Sequence, residues 1–181
     1  DIKLPLGKKT TLYPDTLDSS LLYPIERSFY RKDLPHTSSP LFGYDILNSY
    51  EFCWLDSESG WPVHGHLQIA FDHQSRYIIE SKSLKLYLGS FAHSLFSYQQ
   101  VTEQIKKDLT PYCGEKLEIH FNPEFYLPYQ WPKQNAQNLK NLENLEGQFD
   151  VYFDSFKSLC PVTSSPDYAT FYLKGTLKQC V

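Results

Sequence analysis

Glu80-Ser81-Lys82-Ser83-Leu84-Lys85 brings one carboxylate, two ammonium groups and two hydroxyls into a single short run. Leu84, Tyr87, Leu88, Phe91 and Leu95 follow at i, i+3, i+4, i+7 and i+11. That spacing predicts a helix with one apolar face and the polar run at its N-terminal end. A helix N-terminus presents N–H groups without intrahelical partners and the positive end of a dipole, which suits anionic or polar ligands. The plainer reading of the same letters is a surface helix with a charged first turn. Far downstream, Cys160 and Asp167 stand seven positions apart, with Pro161 and Pro166 stiffening the loop between them. A thiolate there would attack an electrophilic carbon, and a carboxylic acid beside it would supply a proton. On residue type alone, the plainer readings are a buried structural cysteine and a turn pair.

Other constellations offer less. His64-Gly65-His66 sets two imidazoles on one strand face, but no third ligand lies at useful spacing, so exposed strand histidines are expected. Gly7-Lys8-Lys9-Thr10 is like the end of a P-loop without its upstream glycine or following helix. There is no G-x-G-x-x-G, so a dinucleotide would bind without a Rossmann unit. Cys53, between Phe52 and Trp54 in a strand, and Cys113, after a helix-ending turn, read as structural.

The elements that must position these groups can be read from periodicity. Residues 1–43 carry Pro5, Pro14, Pro24, Pro35 and Pro40 and no sustained period, and so read as an extended arm. Tyr44, Ile46, Tyr50, Phe52 and Trp54 occupy even positions, predicting a strand with that face buried. A turn over 57–60 and the alternation of Val63, Gly65, Leu67, Ile69 and Phe71 complete a hairpin. Ser97 and Gln100 make a capping box for a second helix with the stripe Tyr98, Val101, Ile105 and Leu109, which Pro111 is expected to end. Leu117, Ile119 and Phe121 predict a third strand. The order β-β-α-α-β implies an α+β fold, an antiparallel sheet with both helices on one face. Residues 122–148, rich in Asn, Gln and Pro, read as a linker or crossover, and Tyr168 to Leu173 as a strand of a further unit over 149–181.

Several segments together resemble one family. Ile79-Glu80-Ser81-Lys82-Ser83-Leu84-Lys85-Leu86-Tyr87 is similar to the signature of the nitrile reductases of queuosine biosynthesis, the QueF family. Leu6-Gly7-Lys8-Lys9-Thr10, Tyr13 and Asp18-Ser19-Ser20-Leu21-Leu22 resemble the amino-terminal arm of its long, two-module form. Tyr50-Glu51-Phe52-Cys53-Trp54-Leu55 and Gly60-Trp61-Pro62 resemble its first hairpin, and 157–167 its nucleophile segment. The match spans 1–121 and 157–175 and is weak between them.

The resemblance implies the tunnelling fold, ββααββ units in tandem: a first module over 44–121 and the start of a second over 149–181. It implies NADPH-dependent reduction of 7-cyano-7-deazaguanine to 7-aminomethyl-7-deazaguanine. Cys160 would form a thioimide with the cyano carbon. Asp167 would be the proton donor, a role that requires it to stay protonated near neutral pH. Ile79, Glu80 and Ser81 would bind the substrate, with the Glu80 carboxylate accepting two N–H groups of the guanine-like edge. Ser81 and Lys82 would face NADPH, lysine as a point charge towards phosphate, with Lys85 a weaker candidate. No metal is implied. Family members also carry a Phe-His-Glu stretch that helps close the pocket, whereas here Lys178 is followed at once by Gln179-Cys180-Val181. With no methionine and a start at Asp1, the expectation is a longer working protein, its site assembled from two modules, that forms a homodimer.

Composition agrees. Charged residues make up 21% of the 181 and the net charge is -4, so no basic field draws the chain to nucleic acid. No apolar run approaches the ~20 residues that span a bilayer, and no signal-peptide pattern opens the chain. Cys53, Cys113, Cys160 and Cys180 lie far apart, which favours a reduced, cytoplasmic protein. The alternatives are another purine- or pterin-binding protein of this fold, either a cyclohydrolase-like enzyme or a non-catalytic binding module. A metal requirement would mark the first. Binding that survives loss of Cys160, with no turnover to lose, would mark the second.

Overall fold

The computed structural model describes residues 14–32, 43–122, 137–138, 147–159 and 166–177. The chain divides into two compact units, Asp1–Tyr126 and Leu127–Val181.

Within the first unit, a 3-10 turn (Ser19–Leu21) precedes β1 (Pro24–Glu26) and α1 (Arg27–Arg31). Then come β2 (Tyr44–Asp56), β3 (Pro62–Asp72), β4 (Tyr77–Ile79), α2 (Ser81–Gly89), β5 (Leu95–Phe96), α3 (Tyr98–Cys113) and β6 (Glu118–Phe121). The main sheet runs β5-β2-β3-β6, with β2, β3 and β6 antiparallel and β5 parallel to β2. Beside it β1 and β4 form a two-stranded antiparallel sheet. Phe52, Trp54, Leu67, Ile69 and Phe71 of the sheet share one core with Leu84, Tyr87 and Leu88 of α2 and Val101, Ile105 and Leu109 of α3. This is the expected α+β arrangement, both helices closing one face of an antiparallel sheet.

Four local expectations are corrected. In β2 the buried side does not follow the even positions throughout: Phe52 and Trp54 are buried, but Tyr44 and Tyr50 are exposed. A register shift between Ser49 and Phe52 inserts a bulge, which reverses the parity, and before it Leu47 packs on the core. The apolar stripe of α2 stops at Gly89. Ser90 Oγ donates to the Tyr87 carbonyl at 2.6 Å, Phe91 stays buried beyond the helix, and Leu95 is exposed in β5. Pro111 does not end α3, which runs to Cys113 and closes at Gly114 with φ 85°. The lost N–H bond near the helix end is offset by burying Cys113 one turn beyond Leu109, and glycine supplies the left-handed exit. Of the two strand histidines expected to be exposed, His64 is, whereas His66 is half-buried, its Nε2 2.8 Å from Asn48 Oδ1 and its ring stacked on Tyr50 with centroids 4.6 Å apart. The capping box of α3 is present as read, with Ser97 and Gln100 satisfying each other's backbone N–H.

Within the 1–43 stretch, residues 18–26 are anything but featureless. Asp18 caps the 3-10 turn through Ser20, and β1 pairs with β4 so that Pro24 lies opposite Ile79.

The second unit is a sheet of order β7-β8-β9, with β7 (Gln137–Asn138) parallel to β8 (Gly147–Leu159) and β8 antiparallel to β9 (Pro166–Leu177). The strand expected over 168–173 lies inside β9. In its long partner β8, Phe149, Val151 and Phe153 alternate with Gln148, Asp150 and Asp154, and a register shift between Phe153 and Phe156 breaks that period.

Candidate active site

β4 delivers the chain to α2 through Ile79, buried in the core, and Glu80, the N-cap. Asp, Asn and Ser are the usual caps, and a glutamate reaches the same donors with one more methylene. Glu80 Oε1 accepts the Lys82 N–H at 2.9 Å and Oε2 accepts the Ser83 N–H at 2.8 Å. Glu80 as a whole is 5% exposed, and its carboxylate sits at the positive end of the helix. The first-turn N–H groups expected to await an external anion are thus partly occupied by the chain's own glutamate.

The Glu80 backbone is held as tightly. Its N–H donates to the Tyr23 carbonyl at 2.9 Å, and its carbonyl accepts from Leu84 N–H at 2.9 Å and from Ser83 Oγ at 2.7 Å. Ser81 is exposed, its Oγ 3.5 Å from Glu80 Oε1, and Lys82 is half-buried. Below them Leu84, Tyr87 and Leu88 anchor α2, and the Tyr87 hydroxyl donates to Asp108 on α3 at 2.8 Å. Burial, with that carboxylate beside it, pushes the Tyr87 phenol far above its ordinary range, so it acts as a fixed donor.

A carboxylate offers about four acceptor sites; the two backbone N–H groups take two, and the Ser81 hydroxyl donates towards one of the others at 3.5 Å. The arrangement is therefore a rigid acceptor pair with an exposed hydroxyl and a cation on the same turn. It can hold a planar ligand edge with adjacent N–H groups. An anionic cofactor would be met by the side chains of Ser81 and Lys82 more than by backbone N–H groups.

The two residues expected to carry the chemistry, Cys160 and Asp167, fall by sequence in the second unit. Asp167 is in β9, its backbone paired with Ser158 of β8, and Leu159 is paired with Pro166. Cys160 follows the last residue of β8 in sequence and lies outside the described residues. Two other cysteines are seen: Cys53 is half-buried in β2, and Cys113 is buried with its thiol pushed up to about 12 by burial. A thiol held protonated in that way is no nucleophile at neutral pH.

What periodicity missed is the contribution of Tyr23 and Ser83, which touch Glu80 on three sides. Ser83 could have been flagged from its place three residues after a cap, whereas Tyr23 carries no local signal.

Residues 13–121 match the family described as nitrile reductase, 7-cyano-7-deazaguanine-reductase N-term. An NADPH-dependent 7-cyano-7-deazaguanine reductase of Burkholderia multivorans is 35% identical over 191 aligned residues, covering 92% of this chain and 68% of the relative. The proteins of the same name from Paraburkholderia xenovorans and Burkholderia cenocepacia are 34% and 35% identical, with the same coverage. The family model spans the sheet, both long helices and the Glu80 cap, and the relatives extend the likeness through the second unit: this chain belongs to the 7-cyano-7-deazaguanine nitrile reductase family.

Proposed function

We propose that this chain reduces the nitrile of 7-cyano-7-deazaguanine to the aminomethyl group of 7-aminomethyl-7-deazaguanine, with NADPH as reductant, as a step of queuosine biosynthesis. The observation that supports this most is the Glu80 carboxylate, buried and aligned by two backbone N–H groups on a chain of this family. In this reading its remaining lone pairs accept the adjacent N–H groups of the deazaguanine edge, with Ile79 and Ser81 flanking the base. Fixing the acceptor beforehand removes most of the ordering cost of recognition.

The Cys160 thiolate adds to the nitrile carbon: a C–S bond forms, one C–N π bond opens, and the nitrogen takes a proton from Asp167. The product is a thioimide, a carbon far easier to reduce than the nitrile. NADPH, when bound, would supply two hydrides per turnover, and these with two protons in all, the one from Asp167 included, make up the four-electron reduction. Ser81 and Lys82 fit the role of orienting it, since one exposed hydroxyl and one cation stand beside the recognition carboxylate. After the first reduction the nitrogen lone pair expels the Cys160 thiolate, breaking the C–S bond and leaving an imine for the second reduction. Residues 44–121 thus carry recognition and 149–181 the covalent chemistry, in a cytoplasmic homodimer whose partner is a small molecule and not nucleic acid.

Incubating the protein with 7-cyano-7-deazaguanine and no NADPH should add the substrate's mass and produce a thioimide absorbance, both lost in Cys160→Ala. An adduct that persists in Cys160→Ala overturns the assignment.

A further inference from the structure

Residues 18–23 run alongside α2 and are pinned to it at both ends by the same arrangement. Towards the N-terminal end of the helix, the buried Ser83 hydroxyl donates to the Glu80 carbonyl at 2.7 Å and accepts the Tyr23 N–H at 3.0 Å. At the other end, the buried Ser90 hydroxyl donates to the Tyr87 carbonyl at 2.6 Å and accepts the Asp18 N–H at 3.2 Å. In each case a serine reaches the carbonyl three residues back and an amide far away in sequence. The two pins are chemically matched, but only one adjoins the recognition carboxylate. Tyr23 also takes the Glu80 N–H at 2.9 Å, and Ser83 gives its own N–H to Glu80 Oε2 at 2.8 Å.

We propose that Ser83 is a positioning residue for base recognition: through Tyr23 and the Glu80 carbonyl it fixes the peptide from which the carboxylate projects. Tyr23, alone in the segment 18–23, is thereby tied to substrate binding. This rests on the reading that Glu80 holds the deazaguanine edge. A bidentate pair tolerates little rotation of the acceptor, so freeing the Glu80 peptide weakens both hydrogen bonds together.

The test compares KM, kcat and the thermal midpoint of Ser83→Ala, Ser90→Ala and Glu80→Ala with the unaltered protein. Ser83→Ala and Ser90→Ala each strip a donor from a buried residue's carbonyl and an acceptor from a half-buried residue's N–H, so their midpoints should fall alike. Ser83→Ala should raise KM about tenfold with kcat within about twofold, while Ser90→Ala leaves KM within about twofold. If Ser83→Ala matches Ser90→Ala in KM while Glu80→Ala raises it, the positioning role is wrong and the Glu80 reading stands. If Glu80→Ala leaves KM unchanged, both fall. Should Ser83→Ala not fold, Ser83→Cys retains a weaker donor and acceptor in nearly the same volume. Its KM must still exceed that of Ser90→Ala, and equality overturns the proposal.

Discussion

Around Glu80, side chain, backbone and core are all committed; around Asp167 the support is a strand ladder. Ile79, Leu84, Tyr87 and Leu88 are buried against the sheet and α3, and Tyr87 is tied to Asp108. In the second unit Val151 is the buried hydrophobic residue among the described side chains, and Phe171 and Leu173 are 43% and 48% exposed. There the β8–β9 pairing, with cross-strand contacts such as Tyr152 on Tyr172 at 6.0 Å, carries the structure. Each ladder hydrogen bond adds only about 0.5–1.5 kcal/mol net, and cross-strand pairs about 0.2–1 kcal/mol. The difference teaches that the surroundings of Glu80 depend on packing, while those of Asp167 depend on strand pairing. Substitutions in the two units should therefore fail in different ways.

The largest effect is expected at Cys160. Cys160→Ala should reduce turnover to background with the thermal midpoint and substrate binding kept. Steady-state rates beside a binding titration will decide it, and appreciable turnover would remove the nucleophile from this segment. Asp167→Asn keeps shape without the proton and should lower kcat by roughly 10²-fold with binding largely retained. A matched loss of binding would show that Asp167 shares the task given to Glu80.

Stability should separate the units next. Leu67, fully buried in β3, should cost about 2–5 kcal/mol on change to alanine. Leu173→Ala in β9 should change it by about 0.5 kcal/mol or less, since the side chain is half exposed. Urea titrations measure both, and equal losses would mean that the second unit has a core as demanding as the first. Glu80→Ala should weaken substrate binding by about 1–3 kcal/mol and also cost about 0.5–2 kcal/mol of stability, because one carboxylate serves both as ligand and as helix cap.

The smallest effect contrasts two thiols. Burial raises Cys113 from 9.0 to about 12, so the folded state keeps a proton that the unfolded chain releases above pH 9. Its contribution to stability is complete below pH 9 and is lost as the pH climbs towards 12. Iodoacetamide at pH 8 should accordingly spare Cys113 in the native protein and modify Cys160, with prior substrate protecting Cys160. Mass mapping of the alkylated peptides reads this directly, and native labelling of Cys113 would contradict its burial.

Much of this was legible in the letters because it is local. The cap of α3 is a side chain and a backbone group three residues apart, and the alternation of Val63 through Phe71 marks β3 wherever it packs. The Glu80 run was recognisable as a motif for the same reason, and its place at a helix start followed from the apolar spacing behind it. Other features had no local trace. The bulge between Ser49 and Phe52 exists because β2 must pair with β3 and still turn Phe52 and Trp54 into the core, a demand set by the partner strand. Pro111 continues α3 because burying Cys113 outweighs one lost hydrogen bond. Tyr23 clasps Glu80 and Ser83 across about 60 residues of sequence. Residue type and spacing thus determined which groups the protein carries and the helix that presents Glu80. Only tertiary packing decided how Glu80 is held, because its restraints come from segments that meet when the apolar faces of sheet, helices and arm are buried together.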